Sequence, residues 1–254
     1  MDLTKEDITK SLGVDLELIE YLPYLLQDLW DMGTNPDTVL ALINKYSILN
    51  SINAKVLDLG CGKGAVSIKI AQKFGVKVVG LDAMEAFIEE AENYAEKHLV
   101  GNMCKFYVKD IKEAVKTERE YGLVVFGAVG QLFGTYEKTL SSLSQCIKKG
   151  GYLIIDDGYM DDDSDYKDDN YIKHGVLLKI IKESGFTLVE EKIEHDISVI
   201  NNRYFEFIKK RADELRIKYP EKTRFFENYV KSQEIENKIL ENKIKCVVLV
   251  LKKI

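Results

Sequence analysis

Residues 55–64 read KVLDLGCGKG, an apolar run that ends in three glycines at alternate positions. The apolar run predicts a buried strand, and Gly60, Gly62 and Gly64 predict a sharp turn from that strand into a helix. Asp58 precedes the first glycine by two residues. A carboxylate there is a poor neighbour for a pyrophosphate, so the turn favours a ligand with an amino acid end over a dinucleotide.

Short apolar runs recur along the chain, with stretches between them that are long enough for helices. This alternation predicts a mostly parallel sheet with helices on both faces. The later strand candidates are VKVVGLD, KFYVKD, YGLVVFG, GYLIIDD, FTLVEEKI and KCVVLVLKK. The helix candidates between them are Gly64 to Phe74, Ala86 to His98, Tyr136 to Lys148 and Ile172 to Ser184.

The chain of 254 residues is interpreted as one domain with two helical additions. Helical periodicity begins at Leu12, a second N-terminal helix opens at Pro36, and Pro220 breaks the later addition into two helices. That later addition is either a lid over the site or a dimer surface. The divisions are 1–48 as an N-terminal helical cap, 49–194 with 243–254 as the core, and 195–242 as a helical insertion before the last strand.

Acidic residues follow the first three strand candidates and suit one nucleoside ligand. Asp58 can bind an ammonium group while the glycine amides meet a carboxylate, and Asp82 can accept from two ribose hydroxyls. Asp110 can accept from an adenine amino group, with Phe126 and Gly127 near a sulfonium. S-adenosylmethionine has all these features. The predicted cofactor-binding residues are Asp58, Gly60, Cys61, Gly62, Gly64, Asp82, Ala83, Met84, Asp110, Ile111, Phe126 and Gly127.

These residues, together with Ile147 to Ile155, resemble the successive motifs of the class I S-adenosylmethionine-dependent methyltransferase family. The resemblance covers residues 49–157 and implies a Rossmann-like seven-stranded sheet of order 3-2-1-4-5-7-6 with the last strand antiparallel. The segment FGAVGQLFGTYEKTL is similar to one in methyltransferases of the small-molecule type. The resemblance therefore implies in-line methyl transfer to a small-molecule acceptor. The alternative is a non-catalytic S-adenosylmethionine-binding or regulatory protein on the same fold.

No catalytic residue is assigned from the sequence. A base helps only when the acceptor is protonated, and it must lie within hydrogen-bond reach of that proton. The candidates are His174, His195, Tyr159 and Asp157, and neither histidine falls in a recognisable acid–base spacing.

Two further groups of side chains are candidates for contact with the acceptor. Residues 156–169 contain eight aspartates, which could attract a cationic substrate or a divalent metal, or form a solvated acidic loop. Trp30, with Tyr21, Tyr24 and Met32, could form an aromatic box for the acceptor or the sulfonium, or pack between helices.

Composition argues against several classes of partner. The formal net charge is -6 and no basic cluster is present, which argues against nucleic acid. No run of 18 uncharged apolar residues occurs and the N-terminus lacks a hydrophobic signal core, so we expect a cytoplasmic protein with no membrane partner. The four cysteines lie far apart with no histidine at ligand spacing, which predicts reduced thiols and no metal site.

Overall fold

The computed structural model describes Thr9, residues 14–50 and residues 54–254. Within these residues, one sheet contains the strands β1 Lys55–Leu59, β2 Lys77–Asp82, β3 Cys104–Val108, β4 Tyr121–Gly127, β5 Ile147–Tyr159, β6 Phe186–Ile193 and β7 Lys245–Lys253. The helices are α1 Leu22–Leu25, α2 Pro36–Lys45, α3 Ala65–Phe74, α4 Glu85–Lys97, α5 Ile111–Thr117, α6 Tyr136–Ser144, α7 His174–Glu183, α8 Ile197–Lys218 and α9 Thr223–Asn242. Two short 3-10 helices cover Leu16–Tyr21 and Pro220–Lys222.

The strand order is β3-β2-β1-β4-β5-β7-β6, which confirms the order that the resemblance implies. Neighbours from β3 to β5 are parallel, and β7 runs antiparallel to both β5 and β6. Six of the seven residues of β4 are buried. A strand is buried on both faces when helices cover both sides of the sheet, which explains why these strands are continuous apolar runs rather than alternating ones.

The register brings the carboxyl ends of the central strands to one edge. Leu59, the last residue of β1, pairs with Leu81 of β2 and with Phe126 of β4. Gly127, the last residue of β4, pairs with Asp156 of β5. Residues that follow these strands are therefore neighbours in space, which is the arrangement expected of a ligand crevice in an open α/β sheet.

The boundaries of the helices predicted within the core agree to within two residues, except near β5. The prediction of a helix from Tyr136 to Lys148 is wrong at its C-terminal end, because the helix stops at Ser144. Ile147 already pairs with Tyr121 as the first residue of β5. Ile147 and Lys148, the last residues of the predicted helix, therefore belong to β5, which also contains Gly150 and Gly151.

The N-terminal segment differs from the predicted helical cap, whose start at Leu12 lies outside the described residues. A 3-10 helix and the single turn of α1 end at Leu25, and α2 then begins after Asn35, whose side chain accepts from the amide of Asp37 at 2.9 Å. The residues between the two helices are irregular, and Gly33 adopts a φ of 77° there. This irregular stretch lies across the carboxyl edge of the sheet.

The insertion before β7 is helical and broken at Pro220, as predicted. Helices α8 and α9 contact each other, and their buried faces form one apolar cluster with the N-terminal segment. That cluster contains Leu18, Leu22, Leu25, Leu29, Met84, Phe87, Ile208, Ala212, Leu215, Phe226 and Tyr229. Across the described ranges, no helix combines the length and apolarity needed to span a bilayer.

Candidate cofactor site

The glycine turn is bonded to the neighbouring strand β2. The amides of Gly60 and Cys61 both donate to the carbonyl oxygen of Leu81, at 2.8 and 3.0 Å. The amide of Gly62 donates to Oδ2 of Asp82 at 2.9 Å. The expectation that the glycine amides meet a ligand carboxylate is therefore wrong for these amides, because β1 and β2 are close enough for the turn to use them.

Free backbone donors lie one step further along the chain. Gly64 precedes α3 with a φ of 76° and offers no side-chain cap to that helix. Ala65 and Val66, the first residues of α3, line the same cavity as Asp58 and Gly62. The first amides of a helix have no partner inside the helix, so this end can receive a ligand carboxylate.

Asp58 is a buried carboxylate without a cationic partner in the described part of the chain. Only 3% of its surface is exposed, and its Oδ2 accepts from the hydroxyl of Ser67 at 2.6 Å. Burial raises the pKa of Asp58 to about 6, although the bonds from Ser67 oppose the shift. A cation placed beside this carboxylate would replace the interaction with water that burial removes.

Asp82 connects two turns. Its Oδ2 accepts from Gly62 and its Oδ1 accepts from the amide of Met84 at 2.9 Å. Burial raises the pKa of Asp82, and these amides act in the opposite direction. Each carboxylate oxygen can accept more than one hydrogen bond, so acceptor capacity remains for ligand hydroxyls. Ala83 and Met84 lead directly into α4.

The other predicted residues lie at the same edge of the sheet. Asp110 caps α5, since its Oδ1 accepts from the amide of Lys112 at 2.8 Å, and Ile111 is buried. Phe126 is buried, and an added Cβ on Gly127 would lie 2.0 Å from Oγ1 of Thr34. The thiol of Cys61 lies against Gly80, because a Cβ added there would lie 2.9 Å from its Sγ.

The predicted aromatic box does not form as one group. Trp30 and Met32 line the cavity beside the glycine turn, where an added Cβ on Gly62 would lie 2.9 Å from Cε of Met32. Tyr21 instead contacts the ring of Phe226 edge-on at 5.1 Å. Tyr24 is an exposed residue whose hydroxyl donates to Glu214. The break in the cap after Leu25 separates the two pairs.

Trp30 covers the turn through several contacts. Its Nε1 donates to the carbonyl oxygen of Lys63 at 3.0 Å. Its ring stacks with Tyr94 at 4.9 Å and with His98 at 4.8 Å between ring centroids. The cavity beneath Trp30 and Met32 has a volume of about 30 Å³. This volume is well below that of the usual small-molecule site, about 300–1,000 Å³.

Lys63 is a residue of the turn that the sequence analysis missed. Its side chain is completely buried, and Nζ donates to the carbonyl oxygen of Leu26 at 2.9 Å. Nζ also pairs with Oε2 of Glu90 on α4 at 2.9 Å. The only sequence signal is a lysine between two glycines of an otherwise apolar motif. The buried ammonium joins the turn, the cap and α4.

Of the four candidate bases, one lines a large cavity. His174 stacks on Tyr159 at 4.4 Å, and both side chains bond to Glu191. His195 is exposed. Asp157 lines a cavity of about 600 Å³ between the strand ends, the cap and α9.

The aspartate-rich segment is divided between buried and exposed positions. Asp156 and Asp157 belong to β5, and burial raises the pKa of the first to about 7 and of the second to about 6. Asp162 caps the start of α7 by accepting from Gly175 at 2.9 Å. Asp163 is exposed. In the described ranges, no three His, Cys, Asp or Glu residues are grouped to hold a metal ion.

The chain belongs to the methyltransferase-domain family, whose model matches residues 50–241. It is 27% identical over 154 residues to a sterol 24-C-methyltransferase of Gibberella zeae, which is 61% of this chain and 40% of that protein. It is 29% identical over 150 residues to a ubiquinone biosynthesis O-methyltransferase of Coxiella burnetii, which is 56% of this chain and 62% of that protein. The chain thus spans less than two thirds of the length of these curated relatives.

The fold also has solved counterparts. An S-adenosylmethionine-dependent methyltransferase from Geobacter sulfurreducens, solved with S-adenosyl-L-homocysteine, matches with a TM-score of 0.75 at 18% identity. The match covers 92% of this chain and 98% of that one. Together with the strand order, this likeness confirms the Rossmann-like class I methyltransferase fold.

Proposed function

We propose that this protein transfers a methyl group from S-adenosylmethionine to a small-molecule acceptor. The observation that carries the proposal is Asp58, a buried carboxylate at the glycine turn with no cation beside it among the described residues. A ligand ammonium group supplies the missing charge. Family membership supports the same ligand class.

The chain's own residues would bind and orient this cofactor. Asp58 would accept from its ammonium group, the first amides of α3 would face its carboxylate, and Asp82 would accept from the ribose hydroxyls. Asp110 retains a second carboxylate oxygen for the adenine amino group, and Gly127 lines the cavity at the end of β4. The bound cofactor supplies a methyl group on a positively charged sulfur, so the protein mainly has to align the acceptor and exclude water.

A small-molecule acceptor is favoured by the size and position of the larger cavity. Its volume of about 600 Å³ lies within the usual range for small-molecule sites. Ala128 lines this cavity, whereas the preceding residue, Gly127, lines the cavity at the glycine turn. The relatives named for sterol and ubiquinone biosynthesis methylation support this class of acceptor without identifying it.

The insertion is proposed to act as a lid rather than as a dimer surface, because its buried face is already covered by the chain's own N-terminal segment. A cytoplasmic location and the absence of a nucleic-acid partner remain part of the same proposal. They rest on composition, since the net charge is -6.

Calorimetric titration with S-adenosylmethionine, S-adenosylhomocysteine and NAD tests the cofactor assignment without the unknown acceptor. We expect binding of the first two with dissociation constants on the order of micromolar, and no binding of NAD. Binding of NAD alone would overturn the proposal. Tight cofactor binding with no turnover in a broad acceptor screen would instead favour the non-catalytic alternative.

A further inference from the structure

Among the described residues, the larger cavity has an acidic lining. Asp157, Asp168 and Glu236 line it, and none of its described lining residues is Lys, Arg or His. None of the three carboxylates forms an ion pair within the part of the chain that the structure describes. Asp168 accepts from Tyr166 and from the amide of Asn170. Asp157 bonds only to the amide of its neighbour Gly158, at 2.8 Å.

A second feature of the cavity is a group of phenol hydroxyls without hydrogen-bond partners. Tyr229 lines the cavity with only 8% of its surface exposed, and its hydroxyl has no partner among the residues described. Tyr171 lines the cavity as well, and its hydroxyl is likewise unbonded within those residues. Tyr136 is not among the described lining residues of this cavity, and its hydroxyl is completely buried with no partner in the described part of the chain. A buried polar group without a partner costs free energy unless a ligand or water satisfies it.

Two of the cavity carboxylates act electrostatically on the phenols. Burial raises the pKa of Tyr136, Tyr171 and Tyr229, and a neighbouring carboxylate raises it further. Asp157 raises the pKa of Tyr136 and Tyr171, and Glu236 raises the pKa of Tyr171 and Tyr229. No hydrogen bond joins these phenols to Asp157 or Glu236, and Tyr171, Tyr229 and both carboxylates line the same cavity.

The charged groups of this lining favour a cationic ligand over an anionic one. An anion would meet three carboxylates and no cation among the described lining residues, so this lining disfavours an anion electrostatically. An ammonium group would receive charge-assisted hydrogen bonds from carboxylates and a favourable contact with tyrosine rings. Leu22, Leu26 and Ile239 line the rest of the cavity and offer an apolar surface. The site thus suits a cation with an apolar body.

We propose that the methyl acceptor is an amine with an apolar substituent, held in its ammonium form by Asp157 with Glu236 and with Tyr229 beside it. This inference rests on the proposed methyl transfer and specifies the acceptor class. For transfer, the ammonium releases one proton to water and the freed nitrogen lone pair forms the N–C bond. The C–S bond breaks at the same time, and its electron pair remains on sulfur.

The test compares amines with alcohols of the same shape. Benzylamine, 2-phenylethylamine and hexylamine are each titrated beside benzyl alcohol, 2-phenylethanol and hexanol by calorimetry, with and without saturating S-adenosylhomocysteine. We expect at least one amine to bind about tenfold or more tightly than its alcohol, a difference of about 1.4 kcal/mol. Equal or weaker binding of every amine would overturn the inference.

Substitutions in the cavity lining test whether these carboxylates cause the preference for an amine over its alcohol. Asp157→Asn should lower the affinity of the preferred amine by about tenfold or more, and Glu236→Gln should lower it by a smaller factor because that residue is exposed. Asp163→Asn removes the same charge from an exposed residue whose side chain has no bond to another described residue, and it should leave the affinity within about twofold. An equal loss in Asp157→Asn and Asp163→Asn would contradict the proposed contact.

The same titrations distinguish a failure of the proposed cofactor site from a failure of the proposed acceptor class. S-adenosylhomocysteine binding is measured separately in every sample, so its absence would count against the cofactor site alone. Normal S-adenosylhomocysteine binding without any preference for amines would refute the acceptor class and leave the methyltransferase proposal standing.

Discussion

Replacing Asp82 with alanine tests the candidate cofactor site, because this side chain has both a structural and a proposed binding role. Its two oxygens accept from the amides of Gly62 and Met84, each at 2.9 Å. Hydrogen bonds to a charged acceptor contribute about 1.5–3 kcal/mol each. Burial of the carboxylate offsets part of that gain, as its raised pKa indicates. We therefore expect Asp82→Ala to lower the free energy of unfolding by about 2–3 kcal/mol.

The effect on cofactor affinity is expected to be of similar size. Loss of the bonds to two ribose hydroxyls should cost about 3 kcal/mol, which corresponds to about a 150-fold rise in the dissociation constant. Asp82→Asn retains one carbonyl oxygen in the same place and should fall between the wild-type protein and the alanine variant. Asp163→Ala, at an exposed position, is the matched control.

Two measurements check this reasoning. Urea unfolding reports the structural contribution, and calorimetric titration with S-adenosylhomocysteine reports the binding contribution of each folded variant. An affinity for Asp82→Ala within about threefold of the wild type would refute the ribose assignment. A loss of stability without a loss of affinity would mean that Asp82 only joins the two turns.

Three other predictions follow from the turn and the strand ends. Gly62→Val should abolish the binding of S-adenosylhomocysteine, because φ is 51° at this position and the valine side chain would meet Met32. Calorimetric titration measures this, and retained micromolar binding would contradict the prediction. Lys63→Met should lower the free energy of unfolding, measured in urea, by about 2 kcal/mol, because the carbonyl oxygen of Leu26 loses its donor. Unchanged unfolding would mean that burying the ammonium charge costs as much as its bonds contribute. Asp156, with its pKa raised to about 7, favours the folded state most when protonated, so its contribution is lost as pH rises from about 4 through 7. Asp156→Asn should therefore be more stable than wild type by on the order of 3 kcal/mol at pH 8 and by much less at pH 4; a difference independent of pH would refute this.

Local patterns explain why much of the fold could be predicted. The apolar runs ending at Leu59 and Phe126 are continuous because both faces of the sheet are covered, and this leaves a clear signal in the sequence. Three glycines with positive φ similarly mark the turn after β1. The end of α6 was misjudged because it depends on a pairing between Ile147 and Tyr121, which are far apart along the chain.

The candidate site was predictable only as a set of positions. Asp58, Asp82 and Asp110 lie at or just beyond the carboxyl ends of β1, β2 and β3, and a parallel sheet brings such strand ends together wherever it forms. Their bonds were less accessible to prediction. The amides of Gly60 and Cys61 donate to Leu81, a residue of another strand, and the sequence carries no signal of that choice.

The sequence by itself determined the fold class, the glycine turn and the positions of the acidic residues, because hydrophobic periodicity and glycine conformation are local properties. The tertiary structure alone decided that Lys63 is buried, that Asp58 lacks a cation among the described residues, and that Asp157 and Tyr229 line one cavity. Burial and charge compensation depend on every segment that surrounds a group, and these segments come from distant parts of the chain.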